Sequence, residues 1–212
     1  MRYLILAFSF TLFSFYSNSQ KLTYSIVYGL GFKYNPPFEN NAPYFPHSFR
    51  LLYNDMVSFY FMPLNLKDLT RNVVSGKRYF HHVFYRKPLE NFFAQGSSYN
   101  LKKKIFILDT SNRKWILIPG NRTIAGYKCS SAISLGINND TTFAYYTREL
   151  PQGFGPEDYA GLPGTVLEIY NPRDNKYILA NKVTVGEFEL RMPENIPTMS
   201  REEFQKRKAG HL

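Results

Sequence analysis

Four carboxylates lie within or beside a loop rich in glycine and proline, and they have the clearest potential for chemistry. The loop spans residues 151–164, and the carboxylates are Glu149, Glu157, Asp158 and Glu168. Two carboxylates can act as general acid and general base when their surroundings separate their pKa values. The simpler interpretation is that they are solvated at the surface and form ion pairs with Arg148 and Arg173.

Glu168 differs from the other three because it lies between two apolar neighbours in a strand pattern. In an extended strand it shares a face with Val166 and Tyr170. If that face points inward, the carboxylate needs a partner, since an unpaired buried charge is costly. One alternative function is therefore a hydrolase or peptide-processing enzyme that uses Glu168 with Arg148 or Tyr146.

The cysteine and the histidines are weaker candidates for a functional site than the carboxylates. Cys129 is the single cysteine, and in a strand over residues 127–135 it shares a face with apolar residues. We expect it to be a small buried core residue. His81 and His82 point to opposite faces of a strand and cannot bind one metal ion together. No Cys/His cluster has metal-ligand spacing, so we expect no metal and no cofactor.

The loop itself is the strongest candidate for a binding surface. Residues 162–165 fit a type II turn, in which Gly164 would take φ > 0. Rigid loops on a β scaffold hold binding groups in place, and tyrosines provide large contact area at low entropic cost. The alternative is that the same residues pack the core and close one end of the sheet. The candidate binding residues are Tyr145, Tyr146, Arg148, Phe154, Pro156, Tyr159, Gly161, Leu162, Pro163, Gly164 and Glu168.

The elements that must position these residues are mostly β-strands. Alternating apolar and polar residues, separated by turn signals, predict many short strands and an antiparallel all-β fold. Residues 200–203 form a capping box that predicts a short helix over residues 201–208. The predicted strands cover residues 24–30, 49–53, 57–61, 79–86, 105–108, 115–118, 127–135, 143–147, 165–170 and 177–185.

The N-terminus predicts export. Arg2 precedes the apolar run at residues 3–15, and small residues follow at Ser17 and Ser19. This pattern is typical of a secretory signal peptide, and the run is shorter than the about 20 residues that a permanent span needs. We therefore assign residues 1–19 to a signal peptide and residues 20–212 to a single domain. No later segment is long and apolar enough to span a membrane.

The formal net charge of +10 has more than one interpretation. Short basic runs at residues 102–104 and 206–208 could bind nucleic acid, but no nucleic-acid-binding motif accompanies them. We expect a basic, solvated exported protein and no nucleic-acid partner. Attraction to an anionic membrane surface or an acidic glycan is a third interpretation. A single cysteine excludes an internal disulfide, which suits a bacterial envelope.

Several pieces of the chain, in order, resemble the GLPGLI family. They include Ala125-Gly126-Tyr127-Lys128-Cys129, Phe154-Gly155-Pro156 and Gly161-Leu162-Pro163-Gly164. The resemblance covers residues 105–190, with Thr165-Val166 where the family has Leu-Ile. It implies an exported protein of a Gram-negative bacterium, in the periplasm or outside the cell, with no assigned activity.

From the resemblance and the pattern together we expect a curved antiparallel sheet or partly open barrel with a short C-terminal helix. The leading hypothesis is a non-enzymatic binding or accessory module. Its partner would be an apolar ligand or an outer-membrane or other envelope protein. A further alternative is a structural component of a surface complex.

Export with cleavage close to Ser19-Gln20 is the first testable prediction. The charge of Arg2, the apolar run and the small residues motivate it. N-terminal sequencing of the exported form should start near Gln20, and an exported form that starts at Met1 would contradict the assignment.

Overall fold

A computed structural model describes residues 23–32, 47–75, 83–87, 92–99, 103–108, 113–136, 140–191 and 196–209. Within these ranges the chain is mostly β, with a short 3₁₀ turn (Leu66–Leu69) and one C-terminal helix, α1 (Arg201–Ala209). The strands are β1 (Thr23–Phe32), β2 (His47–Tyr53), β3 (Ser58–Phe61), β4 (Val73–Ser75), β5 (Val83–Lys87), β6 (Phe92–Tyr99), β7 (Lys103–Leu108), β8 (Ile116–Ile124), β9 (Tyr127–Leu135), β10 (Thr141–Thr147), β11 (Thr165–Asn171), β12 (Lys176–Gly186), β13 (Glu189–Arg191) and β14 (Thr198–Ser200).

Twelve of these strands form one open sheet in the order β14-β7-β6-β5-β3-β2-β1-β12-β11-β10-β9-β8. The predicted mainly β fold with a short C-terminal helix is confirmed. The sheet is mixed rather than entirely antiparallel, because β14 pairs with β7 in parallel at one edge. The chain reaches this edge through Pro197, whose carbonyl oxygen accepts the N–H of Phe106 at 2.8 Å. A second, two-stranded parallel sheet pairs β13 with β4.

Several elements form where the local sequence signals predicted them. β9 has the predicted bounds, and β2 and β3 form the predicted hairpin. In the turn of this hairpin, the Asn54 side-chain oxygen accepts hydrogen bonds from the N–H groups of Met56 and Val57. The Ser200 hydroxyl oxygen accepts the N–H of Glu203 at 3.1 Å, as the helix cap requires. Residues 1–19, His81 and His82 lie outside the described residues.

Both faces of the sheet carry a hydrophobic cluster. Leu51 belongs to the larger cluster and its neighbour Leu52 to the other, so the clusters lie on opposite faces. The second cluster includes Val74 of β4, so the small sheet covers that face. The larger cluster takes in side chains from residues 150–164, which we call the covering loop. These loop side chains are Leu150, Phe154, Tyr159 and Leu162.

The predicted type II turn at residues 162–165 is wrong. Positive φ occurs at Gly161 (92°) and not at Gly164. The N–H of Gly164 instead donates to the carbonyl oxygen of Leu162 at 2.8 Å, which makes a three-residue turn around Pro163. Gly164 is needed for another reason: a Cβ there would lie 2.1 Å from the carbonyl oxygen of Thr147.

This contact predicts different costs of substitution for two glycines of the covering loop. Gly164→Ala forces the loop away from Thr147 and should lower the free energy of unfolding by about 2–3 kcal/mol. Gly161→Ala meets no atom within 4 Å and should cost only its positive φ, about 1 kcal/mol. Urea unfolding of both variants measures the difference. An equal or smaller cost at Gly164 would contradict the close contact.

Candidate functional site

The covering loop is hydrogen-bonded to the start of β11. The N–H of Val166 donates to the carbonyl oxygen of Phe154 at 2.9 Å, and the N–H of Gly153 donates to that of Leu162 at 3.0 Å. The Phe154 ring packs on the Tyr53 ring of β2, with 4.8 Å between centroids. The loop is therefore fixed at its base and inserted into the larger core.

Hydroxyl groups beneath the loop are satisfied by loop and strand oxygens. The Thr165 hydroxyl donates to the carbonyl oxygen of Pro151 at 2.5 Å. Because its one hydrogen is used there, the Tyr53 hydroxyl donates to Thr165 Oγ1 at 3.0 Å. The Tyr28 hydroxyl donates to the carbonyl oxygen of Val166 at 2.6 Å. Thr165 is thus a buried polar residue with a defined role in holding the loop.

Two ion pairs occupy the carboxylates of the loop. Asp158 pairs with Arg113 at 2.6 Å, and Glu157 pairs with Lys176. The two cations also lie over the Tyr159 ring, at 4.5 Å for Arg113 and 5.3 Å for Lys176. Burial raises the pKa of Glu157, while Lys176 acts in the opposite direction. Ion pairing was expected here, but with Arg148 and Arg173 as the cations.

Glu168 is 4% exposed and has two partners that the sequence did not predict. Arg122 Nη1 lies 2.8 Å and 2.7 Å from its two carboxylate oxygens. The Tyr177 hydroxyl donates to Oε1 at 2.9 Å. The Arg122 guanidinium also lies 5.3 Å from the Tyr145 ring centroid. Burial raises the pKa of Glu168, and Arg122 and then Tyr177 act against that shift.

The proposed partnership of Glu168 with Arg148 or Tyr146 therefore needs correction. A register shift between Tyr145 and Tyr146 puts Tyr145 opposite Glu168, while Tyr146 pairs with Val166. Tyr146 is 1% exposed within the larger core, and Arg148 is exposed in the turn after β10.

The remaining candidate residues divide by exposure. Pro156 and Gly164 are buried with the loop side chains, whereas Gly161 and Pro163 are exposed at its tip. Cys129 is 3% exposed within the larger core, as predicted. Burial raises the pKa of its thiol to about 11, which keeps the thiol protonated and poorly nucleophilic.

Among the described residues, no group of three or more His, Cys, Asp or Glu side chains is placed to hold a metal ion. Over the same residues, no helix is long and apolar enough to cross a membrane.

An exposed row of apolar side chains crosses four strands on the face of the sheet opposite the larger cluster, because its members alternate with cluster residues such as Ala132, Ala144 and Ile169. Ile116, Ile133, Phe143 and Tyr170 are consecutive cross-strand partners on β8, β9, β10 and β11. We call these four residues the apolar row. Ile116 is 50% exposed and Phe143 37%, and the Phe143 and Tyr170 rings stack at 6.2 Å. Leu135, 56% exposed, lies on the same face two residues beyond Ile133.

The comparisons with known proteins identify similarities rather than an activity. The model of a family of proteins of unknown function, Porph_ging, matches residues 135–168. That match includes the Gly161-Leu162-Pro163-Gly164 motif, while the GLPGLI assignment stays a prediction. No curated protein matches the chain.

Solved structures of PNGF-II have a similar fold. The structure in the P21 space group matches with a TM-score of 0.62 and 18% identity over 87% of this chain and 32% of that chain. The structure in the C2 space group matches with a TM-score of 0.57 and 17% identity over 82% and 31%. The chain thus spans about a third of the length of those chains. At this identity the similarity shows the fold alone.

The burial of Glu168 predicts a pH dependence of stability. Its pKa is raised in the folded state, so the folded protein binds more protons than the unfolded chain above the unfolded pKa of about 4.3. The stability from this group is full below that pH and is lost as pH rises through the folded pKa. Glu157 contributes in the same direction.

Glu168→Gln should therefore lose less stability than the wild type between about pH 4 and pH 7. Urea unfolding at several pH values measures both slopes. Glu202→Gln, on the exposed face of α1, is the control and should keep the wild-type slope. A Glu168→Gln variant with the wild-type slope would show that this carboxylate does not titrate in that range.

Proposed function

We propose that this protein is an exported, non-enzymatic binding module that docks a protein partner on the apolar row. The observation that carries this proposal is the exposure of Ile116 on β8 and Phe143 on β10, two strands joined through β9, in a sheet whose apolar side chains are elsewhere largely covered. Contiguous exposed apolar surface on a folded domain is typical of a protein–protein interface.

The covering loop offers less support for carriage of an apolar ligand. Its aromatic side chains contact other core rings, as Phe154 does with Tyr53. Nearby, the Phe49 and Tyr60 rings stack at 5.1 Å. These contacts explain the aromatic content of the strands as core packing. A protein partner on the row therefore accounts for more of the structure than an apolar ligand under the loop.

Export rests on the sequence pattern of residues 1–19. With export, the partner would be another envelope protein, such as an outer-membrane receptor. The basic charge of the chain is compatible with that location, since both membrane surfaces and acidic glycans attract cations.

A second candidate function is a hydrolase, and one observation favours it. Glu168 is buried, its pKa is raised, and its partner Arg122 is more exposed, with 38% of the side chain accessible. A carboxylic acid with a raised pKa can act as a general acid. The contacts with Arg122 and Tyr177 also fit a purely structural carboxylate. Hydrolysis lost in Glu168→Gln, with partner binding retained, would favour the enzyme.

Phe143→Lys tests the docking proposal directly. The side chain is 37% exposed, so the variant should fold, while a charge in the interface should reduce partner binding at least about tenfold, equivalent to about 1.4 kcal/mol. The measurement is quantitative co-isolation of envelope proteins from the native host with tagged wild type and variant.

Val185→Lys is the matched control, because Val185 is an apolar residue of β12 with 44% exposure that lies outside the row. A partner retained by the wild type and by Val185→Lys, but lost with Phe143→Lys, is the expected result. Equal yields with all three proteins would exclude the row as the docking surface.

A further inference from the structure

The strand beside the apolar row has an open edge. β8 ends the order of the large sheet, and among the described residues its one strand partner is β9. Of its nine residues, Ile118 is half-buried, Ile124 is buried and the others are exposed. The outer backbone groups of such a strand can pair with an added strand. This edge is continuous with the docking face, because Ile116 belongs to both.

Side chains at the start of β8 are apolar on both sides of the sheet. Ile116 and Ile118 point to the side of the apolar row, and Leu117, 52% exposed, points to the other side. A strand laid along these three residues would place every second side chain against the row. One face of the added strand would cover Ile116 and Ile118, and its other face would cover Leu117.

A bulge limits the edge to this short stretch. The register between β8 and β9 shifts between Ile118 and Asn121, at Pro119-Gly120. Proline has no N–H to donate, and bulges and prolines on edge strands limit uncontrolled strand pairing. The pairing stretch is therefore Ile116 to Ile118, which adjoins the row.

Charge around this edge selects the partner. Residues 113–136 contain four basic residues, Arg113, Lys114, Arg122 and Lys128, and no acidic residue. Arg113 and Arg122 are ion-paired with Asp158 and Glu168. Lys114 and Lys128 are exposed and have no ion-pair partner in the described part of the chain. Lys114 lies next to the pairing stretch, whereas Lys128 is opposite Thr123, beyond the bulge, and its backbone N–H donates to the Glu149 carboxylate at 3.0 Å. A second copy would bring the same positive charge to the edge, whereas an acidic segment would be attracted.

We propose that Ile116 to Ile118 pair with an extended segment of the partner protein that has apolar residues at its centre and acidic residues beside them. The inference rests on the proposed docking function and names the chemistry of the partner. Backbone hydrogen bonds would hold the added strand, the apolar row would select its central side chains, and Lys114 and Lys128 would select its charge.

Three synthetic ten-residue peptides test this proposal. The first has alternating valine and threonine at its centre and glutamates at both ends. The second has lysines in place of the glutamates, and the third has the glutamates but a proline at its centre. Binding is measured by fluorescence anisotropy at two salt concentrations, and pairing by hydrogen exchange of the backbone amides of Ile116 to Ile118.

We expect the acidic peptide to bind at least tenfold more tightly than the other two, with affinity that falls as salt increases. It should also protect an amide of Ile116, Leu117 or Ile118 from exchange. The double variant Lys114→Glu/Lys128→Glu should bind the acidic peptide at least tenfold more weakly. Both side chains are exposed, so its thermal melting should match the wild type.

Other results would overturn the proposal. Equal binding of the proline peptide, or binding without amide protection, would show that the edge does not pair. Equal binding of the lysine peptide would remove the charge selection, and a dimer through β8 in sedimentation would make a second copy the occupant. No binding of the acidic peptide would also reject the edge, while loss of the native partner in Phe143→Lys would still support docking on the row.

Discussion

The fold depends on the covering loop, because an open sheet cannot bury its apolar face without another layer. Tyr28 and Tyr53 lie beneath this layer, and each hydroxyl needs an acceptor once water is excluded. β11 supplies both acceptors, at Val166 O and Thr165 Oγ1, and the loop holds Thr165 through the Pro151 carbonyl oxygen. Close contact is possible because glycines stand where backbones meet. A Cβ at Gly155 would lie 1.9 Å from the Tyr159 carbonyl oxygen.

Two buried charged side chains, Arg50 and Glu168, join parts of the fold that are distant in sequence. Arg50 is 1% exposed and donates to Ser25 Oγ at 2.8 Å and to the carbonyl oxygens of Asp68 and Arg71. Its guanidinium lies 5.0 Å from the Phe188 ring centroid, between the large sheet and the segments around the 3₁₀ turn and β13. Glu168 plays a comparable part across β8, β11 and β12 through Arg122 and Tyr177. Each charge is costly to desolvate, and its several bonds offset that cost.

The local sequence pattern predicted most strands and the helix, but it did not predict the contacts between elements that are distant in sequence. β9 and α1 were predictable because alternation and a capping box are properties of a few adjacent residues. The eight-residue β6 was missed, since Gly96-Ser97-Ser98 resembles a turn. The prediction of a type II turn was wrong because proline followed by glycine usually indicates φ > 0 at the glycine. Here Gly164 instead leaves room for the Thr147 carbonyl oxygen, which lies 17 residues earlier in the chain. Arg122 was missed because Pro119-Gly120-Asn121 suggests the end of a strand, and β8 continues past this bulge.

The apolar row could not be predicted from sequence, because strand register alone brings Ile116, Ile133, Phe143 and Tyr170 into line. Among the described residues, the four members of the row lie outside both hydrophobic clusters of the sheet. Thr142 and Ala144, which flank Phe143, are each 1% exposed and make the inner contacts of β10. Phe143 faces the other side, where a polar side chain would meet water and reduce the exposed apolar surface. The same end of the sheet carries a proline bulge and basic side chains, two features that oppose self-pairing of an edge strand. An apolar surface protected from its own copies, yet left open, is what a site for a different partner requires.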